Sequence, residues 1–194
     1  MADFVIDTWF PSSIYKAYNI VSAQENQKVI AKVLELEKTI EPGGKAWKSN
    51  TFNSRHTYDF LADDDFKFIT QEVTRRVAEY AKAFNSSYPY QCASAWFNIA
   101  HEHAYQEFHI HPNSVFSAIY YAACPEGSGD VIFEKDQVDM MPVKGVESFN
   151  ELTFSTCSYK PVPGMLLIFR SSLRHMVKVG SNTEPRVSLS FNFA

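Results

Sequence analysis

The chain has no cluster of lysine and arginine, no Cys-x-x-Cys pair, no internal repeat and no low-complexity tract. Nor does it hold an apolar run near the roughly 20 residues that span a membrane. Each absence removes a class of function. With a formal net charge of −4 and no basic patch there is no electrostatic footprint for DNA, RNA or an anionic membrane, so nucleic acid is not an expected partner. Cys92, Cys124 and Cys157 are odd in number and sit in apolar stretches, so they read as reduced core thiols and point to a reducing compartment. The opening stretch MADFVIDTWFPSSIYK carries acids where a signal peptide is basic, which favours a soluble, cytoplasmic protein.

What the chain does have is apolar and aromatic bulk. Of its 194 residues 45% are hydrophobic and 15% aromatic, with 16 Phe and 10 Tyr, enough to bury one substantial core. The expectation is a single domain over 1–194, with a mostly helical support over 1–89 and a β-rich core over 90–194. Ser22 and Glu25 form a capping box ahead of ENQKVIAKVLELEKTI, whose Val29, Ile30, Val33, Leu34 and Ile40 recur at helical spacing. A second helix is expected after LADDD, with Phe66, Ile69, Val73, Val77, Tyr80 and Phe84 as its apolar stripe.

From Tyr90 the pattern shifts to short β-rich runs: QCASAWFNI, EFHIH, VFSAIYYAA, DVIFE, ELTFST, GMLLIF, HMVKV and RVSLSFNF. Short strands broken by turns and by no helix predict a mainly β fold, a double-sheet jelly roll with the two helices packed outside it.

Within that pattern His109 and His111 stand two residues apart. On a strand, i and i+2 share a face, so both imidazoles can aim inward at one cation. An isolated His-x-His is more often a hydrogen-bonded pair at a strand end. His175 opens a later strand, and eleven residues on, Arg186 and Ser188 share a face of the last strand. A buried arginine needs an anionic partner, and its planar fork suits a carboxylate.

Taken together, WFN, HIHPNSVFSAIYY, PGMLLIFRSSLRHMV and EPRVSLSFNF resemble the double-stranded β-helix 2-oxoglutarate- and Fe(II)-dependent oxygenases, and more narrowly a group of them from phages and marine bacteria. The resemblance covers roughly Trp96 to Phe193, and more loosely WFPSSIY and AWKSNTFNSRHTYDF. It implies iron(II) on His109, His111 and His175, with 2-oxoglutarate on Arg186 and Ser188 aided by Asn98, Tyr121 and Asn192. It also implies O2 as oxidant, and succinate and CO2 as co-products of hydroxylating a small-molecule or peptide substrate. If the gene is phage-borne, the location is the host cytoplasm.

One position departs from the family pattern. His111 stands where the general signature has Asp or Glu, so three neutral imidazoles would leave the metal at +2 instead of +1. Glu107, two residues before His109, is the alternative third ligand, and His101 and His103 on a presumed loop are weaker candidates. His56 has no assigned partner. Asn113 is a candidate to orient a ligand imidazole, Arg170 and Arg174 flank the distal histidine, and Tyr120 reads as core. A three-histidine dioxygenase without 2-oxoglutarate, and a jelly-roll binding module using Trp47 and Trp96, are the competing classes. Segments 41–65 and 134–150 are expected to form a lid, and an exposed sheet edge is the expected site of any homodimer.

Overall fold

Two antiparallel sheets face one another in a computed structural model that describes residues 5–43, 49–135, 141 and 143–194. Trp47 and parts of both expected lid segments lie outside the described residues. In chain order the elements are β1 (Ile14–Tyr18), α1 (Ala23–Leu36), β2 (Phe52–Asn53), α2 (Lys67–Ala81), β3 (Cys92–Ala100), β4 (Gln106–His109) and β5 (Phe116–Ala123). Then follow β6 (Val131–Glu134), β7 (Thr156–Tyr159), β8 (Met165–Arg170), β9 (His175–Val177) and β10 (Arg186–Phe193). The major sheet runs β1-β8-β5-β10-β3-β2 and the minor sheet β4-β9-β6-β7. This is the mainly β, jelly-roll architecture of the double-stranded β-helix, with α1 and α2 on the outer face of the major sheet.

The period of two along each strand sorts side chains between two cores. From β5, Phe116, Ala118, Tyr120 and Ala122 pack against the helices, while Ile119 and Tyr121 turn inward between the sheets. Along β8, Leu166 and Ile168 face the helices and Met165, Leu167 and Phe169 face inward. The last strand shows the sorting most clearly. Val187, Leu189, Phe191 and Phe193 join the helix-side core, while Arg186, Ser188, Ser190 and Asn192 lie on the inner face, all buried. A whole strand of buried polar groups on one face marks the place where the fold gives up apolar burial for chemistry.

The helices are built as their sequence predicts. Ser22 Oγ accepts the Glu25 amide and the Glu25 carboxylate accepts the Ser22 amide, closing the capping box. Asn26 then ties α1 to the sheet, donating to the Ala122 carbonyl at 3.0 Å and accepting the Tyr120 hydroxyl at 2.8 Å. Ile69, Val73 and Val77 of α2 are fully buried, each worth about 1.5–3 kcal/mol of hydrophobic stabilisation. Phe84 is an exception within the stripe and stays 39% exposed beyond the end of the helix.

Three differences from the expectations have physical causes. The run ELTFST is not a strand: the Asn150 side chain accepts the Leu152 amide and Thr153 Oγ1 accepts the Asn150 amide, folding a turn, and β7 begins only at Thr156. The edge strands β1 and β2 were not expected, since their partners β8 and β3 lie far along the chain. Cys157 is exposed on β7, the outer strand of the minor sheet, and is no core thiol.

Candidate active site

The site forms where the inner face of β10 meets the edge of the minor sheet. Antiparallel pairing sets His109 of β4 directly opposite His175 of β9, with ring centroids 4.2 Å apart. His111 lies just past the end of β4, where its amide donates to the Ser171 carbonyl at 2.9 Å. Its ring is nearly parallel to that of His175, 5.1 Å away and 5° off, and rests on Trp96 at 5.7 Å. One ligand atom from each of the three imidazoles falls within 4.8 Å of the others.

Hydrogen bonds fix which nitrogen is offered. The Nδ1–H of His109 donates to the Glu107 carbonyl at 2.8 Å, and that of His175 to the Leu173 carbonyl at 2.9 Å. Both Nε2 lone pairs are thereby turned to the common point, and His111 Nε2 sits 3.3 Å from His175 Nε2. Burial, aided by the neighbouring His109 imidazole and the Arg55 charge, pushes the His111 pKa down to about 3. Burial likewise lowers His109, and takes His175 well below the usual imidazole range. All three are neutral near pH 7, the form that binds a metal. Phe133 and Phe169 close the back of the His175 ring.

Glu107 does not join this group. The β4–β9 register shifts between Gln106 and His109, so a bulge breaks the alternation that would have put Glu107 beside His109. His101 instead bonds the Glu37 carboxylate at 2.7 Å, and His103 is 75% exposed. His56 lines a separate open depression with Tyr58 and Asp59.

The same cavity is lined by Arg186, Ser188, Ser190 and Asn98. Arg186 is only 6% exposed, and its Nε has no hydrogen-bond partner among the described residues. No carboxylate among them pairs with it. It stands 5.3 Å over the ring of Tyr121, whose hydroxyl is also buried without a partner and whose pKa burial raises to about 12. Asn98 accepts Asn53 Nδ2 at 2.8 Å and donates to Ser190 Oγ at 3.1 Å, leaving one amide hydrogen spare. Asn192, farther along β10, is engaged with Ser117 and Ser94 and does not line the cavity.

The remaining sequence candidates lie elsewhere. Tyr120 faces α1, Asn113 occupies an exposed left-handed turn at φ 66°, Arg174 pairs with Glu134, and Arg170 covers Phe84 and Phe116. Sequence reasoning passed over Arg55, which lies 4.9 Å over Trp96 at the cavity mouth, and Asn53 beneath it. Only the weak likeness in AWKSNTFNSRHTYDF pointed toward them.

A buried trio of neutral imidazoles beside an unpaired guanidinium is a receptor for a cation and an anion together. The family model described as "Putative 2OG-Fe(II) oxygenase" matches residues 94–192. The chain belongs to the 2-oxoglutarate- and Fe(II)-dependent oxygenase family. Iron(II) and 2-oxoglutarate are accordingly its cofactor and co-substrate.

Solved structures agree on the fold of this oxygenase. A prolyl-4-hydroxylase from Pseudomonas putida is 15% identical, with TM-score 0.63, 94% of this chain and 92% of that chain covered. The α-ketoglutarate-dependent epimerase SnoN of nogalamycin biosynthesis is 13% identical, with TM-score 0.70 and coverages of 94% and 76%. A Trichoplax adhaerens prolyl hydroxylase in complex with a hypoxia-inducible-factor peptide fragment is 14% identical, with TM-score 0.61 and coverages of 93% and 82%. No curated protein matches the oxygenase significantly in sequence. No helix among its described residues is long and apolar enough to cross a membrane.

Proposed function

We propose that this oxygenase is a hydroxylase of a peptidyl or free amino-acid side chain, releasing succinate and CO2. The observation that carries the reading is the convergence of three neutral imidazoles beside a buried guanidinium that no acidic group among the described residues neutralises. The amino-acyl substrate is supported by the prolyl hydroxylases among its structural likenesses.

The residues present fit both cofactors. His109, His111 and His175 would hold iron(II) through Nε2, two of them locked in the required tautomer by backbone carbonyls. Three neutral ligands leave the +2 charge intact, and a dianionic co-substrate balances it. Arg186 and Ser188 would grip the distal carboxylate of 2-oxoglutarate, and the Tyr121 hydroxyl, partnerless among the described residues and aligned with Ser188 across β5 and β10, would donate to the same group. Asn98, which lines the cavity and has an amide hydrogen to spare, would donate to the carboxylate at the metal-binding end.

When bound, the pair supplies oxidative decarboxylation of the keto acid by O2 and insertion of the second oxygen atom into a substrate C–H bond. The protein's part is to orient and to keep water out. Phe133 and Phe169 wall off His175, and Trp96 holds the plane of His111. The test is anaerobic titration with iron(II) and then 2-oxoglutarate, watching for the visible charge-transfer band of the chelate, followed by succinate release on admitting O2. A folded protein that gives no band removes the reading in favour of a three-histidine enzyme that needs no keto acid.

A further inference from the structure

The lining of the cavity has an unequal charge. Among the described residues around it there are two permanent cations, Arg55 and Arg186, and no aspartate or glutamate. That imbalance stands out in a chain whose 22 acidic residues outnumber its 18 basic ones. The two arginines occupy different depths: Arg186 is buried, while Arg55 is exposed at the mouth, between the cavity and the open depression beside it.

Arg55 is also an organised cation. Its amide donates to Asn53 Oδ1 at 2.8 Å, Asn53 Nδ2 donates to Asn98, and Asn98 donates to Ser190 on the cavity floor. Its guanidinium lies over the Trp96 ring, which in turn stacks on His111. No acidic side chain among the described residues forms an ion pair with it. A fork held flat over an aromatic ring keeps its N–H edge free for a planar anion.

A charge count then gives the deduction, resting on the assignment of 2-oxoglutarate to Arg186. Among the groups that line the cavity, a +2 metal on three neutral ligands, with Arg186 and a dianion, leaves +1, and Arg55 raises it to +2; Glu107, outside the lining but near enough to act on His109, takes one from that sum and still leaves a net positive charge. A carboxylate ligand in place of His111 would have lowered that sum by one. We infer that Arg55 is a specificity-determining residue that pairs with a carboxylate of the substrate, so that the oxidised carbon belongs to an anionic molecule. The carboxylate belongs either to a free amino acid or to an acidic residue of a peptide.

The experiment uses full-length protein loaded anaerobically with iron(II) and 2-oxoglutarate, so that binding is read without turnover. One arm offers an equimolar mixture of common L-amino acids against their α-amides. The other offers a capped tetrapeptide library with one fixed glutamate against the same library with glutamine. Mass spectrometry of the retained fraction gives the ratio of acid to amide.

The expected result is about ten-fold or greater enrichment of the acid in one arm, as a charge-assisted contact requires. R55Q should abolish that enrichment and R55K should keep part of it, with the chelate band unaltered in both. The arm that shows enrichment identifies the source of the carboxylate. Equal retention of acid and amide by wild type, or enrichment that survives in R55Q, overturns the inference while leaving the oxygenase assignment standing. A missing chelate band in wild type removes the assignment itself.

Discussion

Replacing Arg186 with methionine should cost the cofactor-free protein little or no stability while greatly weakening its hold on 2-oxoglutarate. Arg186 is 6% exposed, pairs with no carboxylate among the described residues, and keeps a buried Nε without a partner. A buried polar group left in that state costs about 1–3 kcal/mol. Against this stands the contact with the Tyr121 ring, worth about 1–2 kcal/mol when desolvated. Methionine fills comparable space flexibly, so the balance for R186M runs from roughly −1 to +2 kcal/mol, the positive sign favouring the variant. For a chain of this length the upper end is a rise in Tm of up to about 8 °C. For 2-oxoglutarate, two charge-assisted hydrogen bonds at ~1.5–3 kcal/mol each would be lost, weakening affinity by roughly a hundred-fold to ten-thousand-fold. Thermal unfolding in excess chelator measures the first quantity and anaerobic titration of the chelate band the second. A variant destabilised by more than about 1 kcal/mol in chelator would show that the arginine serves the fold, and undiminished affinity would show that it is no carboxylate receptor.

Other expectations follow from the same geometry. H111A should lose the chelate band and E107A should keep it, since the bulge in β4 holds Glu107 outside the imidazole group; the reverse pattern would reassign the third ligand. S22A should destabilise by about 1 kcal/mol through loss of the capping box, visible as a lower urea midpoint with unchanged m-value. Asp63 gives a pH dependence: burial raises its pKa, but bonds from the Tyr58 hydroxyl, the Asp65 amide and Lys32 outweigh that and hold it below the usual carboxylate value. With the folded pKa lower than the unfolded one, this stabilisation is complete above about pH 4 and fades as pH falls through the folded value. D63N should flatten that part of the stability curve measured by urea unfolding from pH 7 to 3, and an identical curve for both proteins would refute the assignment.

How much of this the sequence disclosed depends on how local each signal was. β10 could be read to its ends because RVSLSFNF alternates polar and apolar residues without a break, and both faces are buried for opposite reasons. The capping box was equally legible, since it is a contact between residues three apart. Strand β7 was misplaced because Asn150 spends its side chain on a turn, a choice that β propensity does not register. Glu107 remained open beside His111 because a bulge is a property of the strand pair, invisible from one strand alone. Arg55 was missed for a related reason: it reaches the cavity only because β2 pairs with β3, and nothing in its own neighbourhood announces that pairing. The helical stripe of α2 was easiest of all, since 3.6-residue periodicity needs no partner to be seen.

The bulged seam between β4 and β9 has a bearing on how the protein lives in a cell. Pairing across it is short and interrupted, yet the imidazoles that converge come from its two sides, so a cation bound there would act as a rivet through an interrupted joint of the minor sheet. Occupancy adds stability according to metal concentration over dissociation constant. Withholding iron(II) should therefore make this seam more open to proteases, and equal cleavage with and without the metal would show that it does not brace the joint.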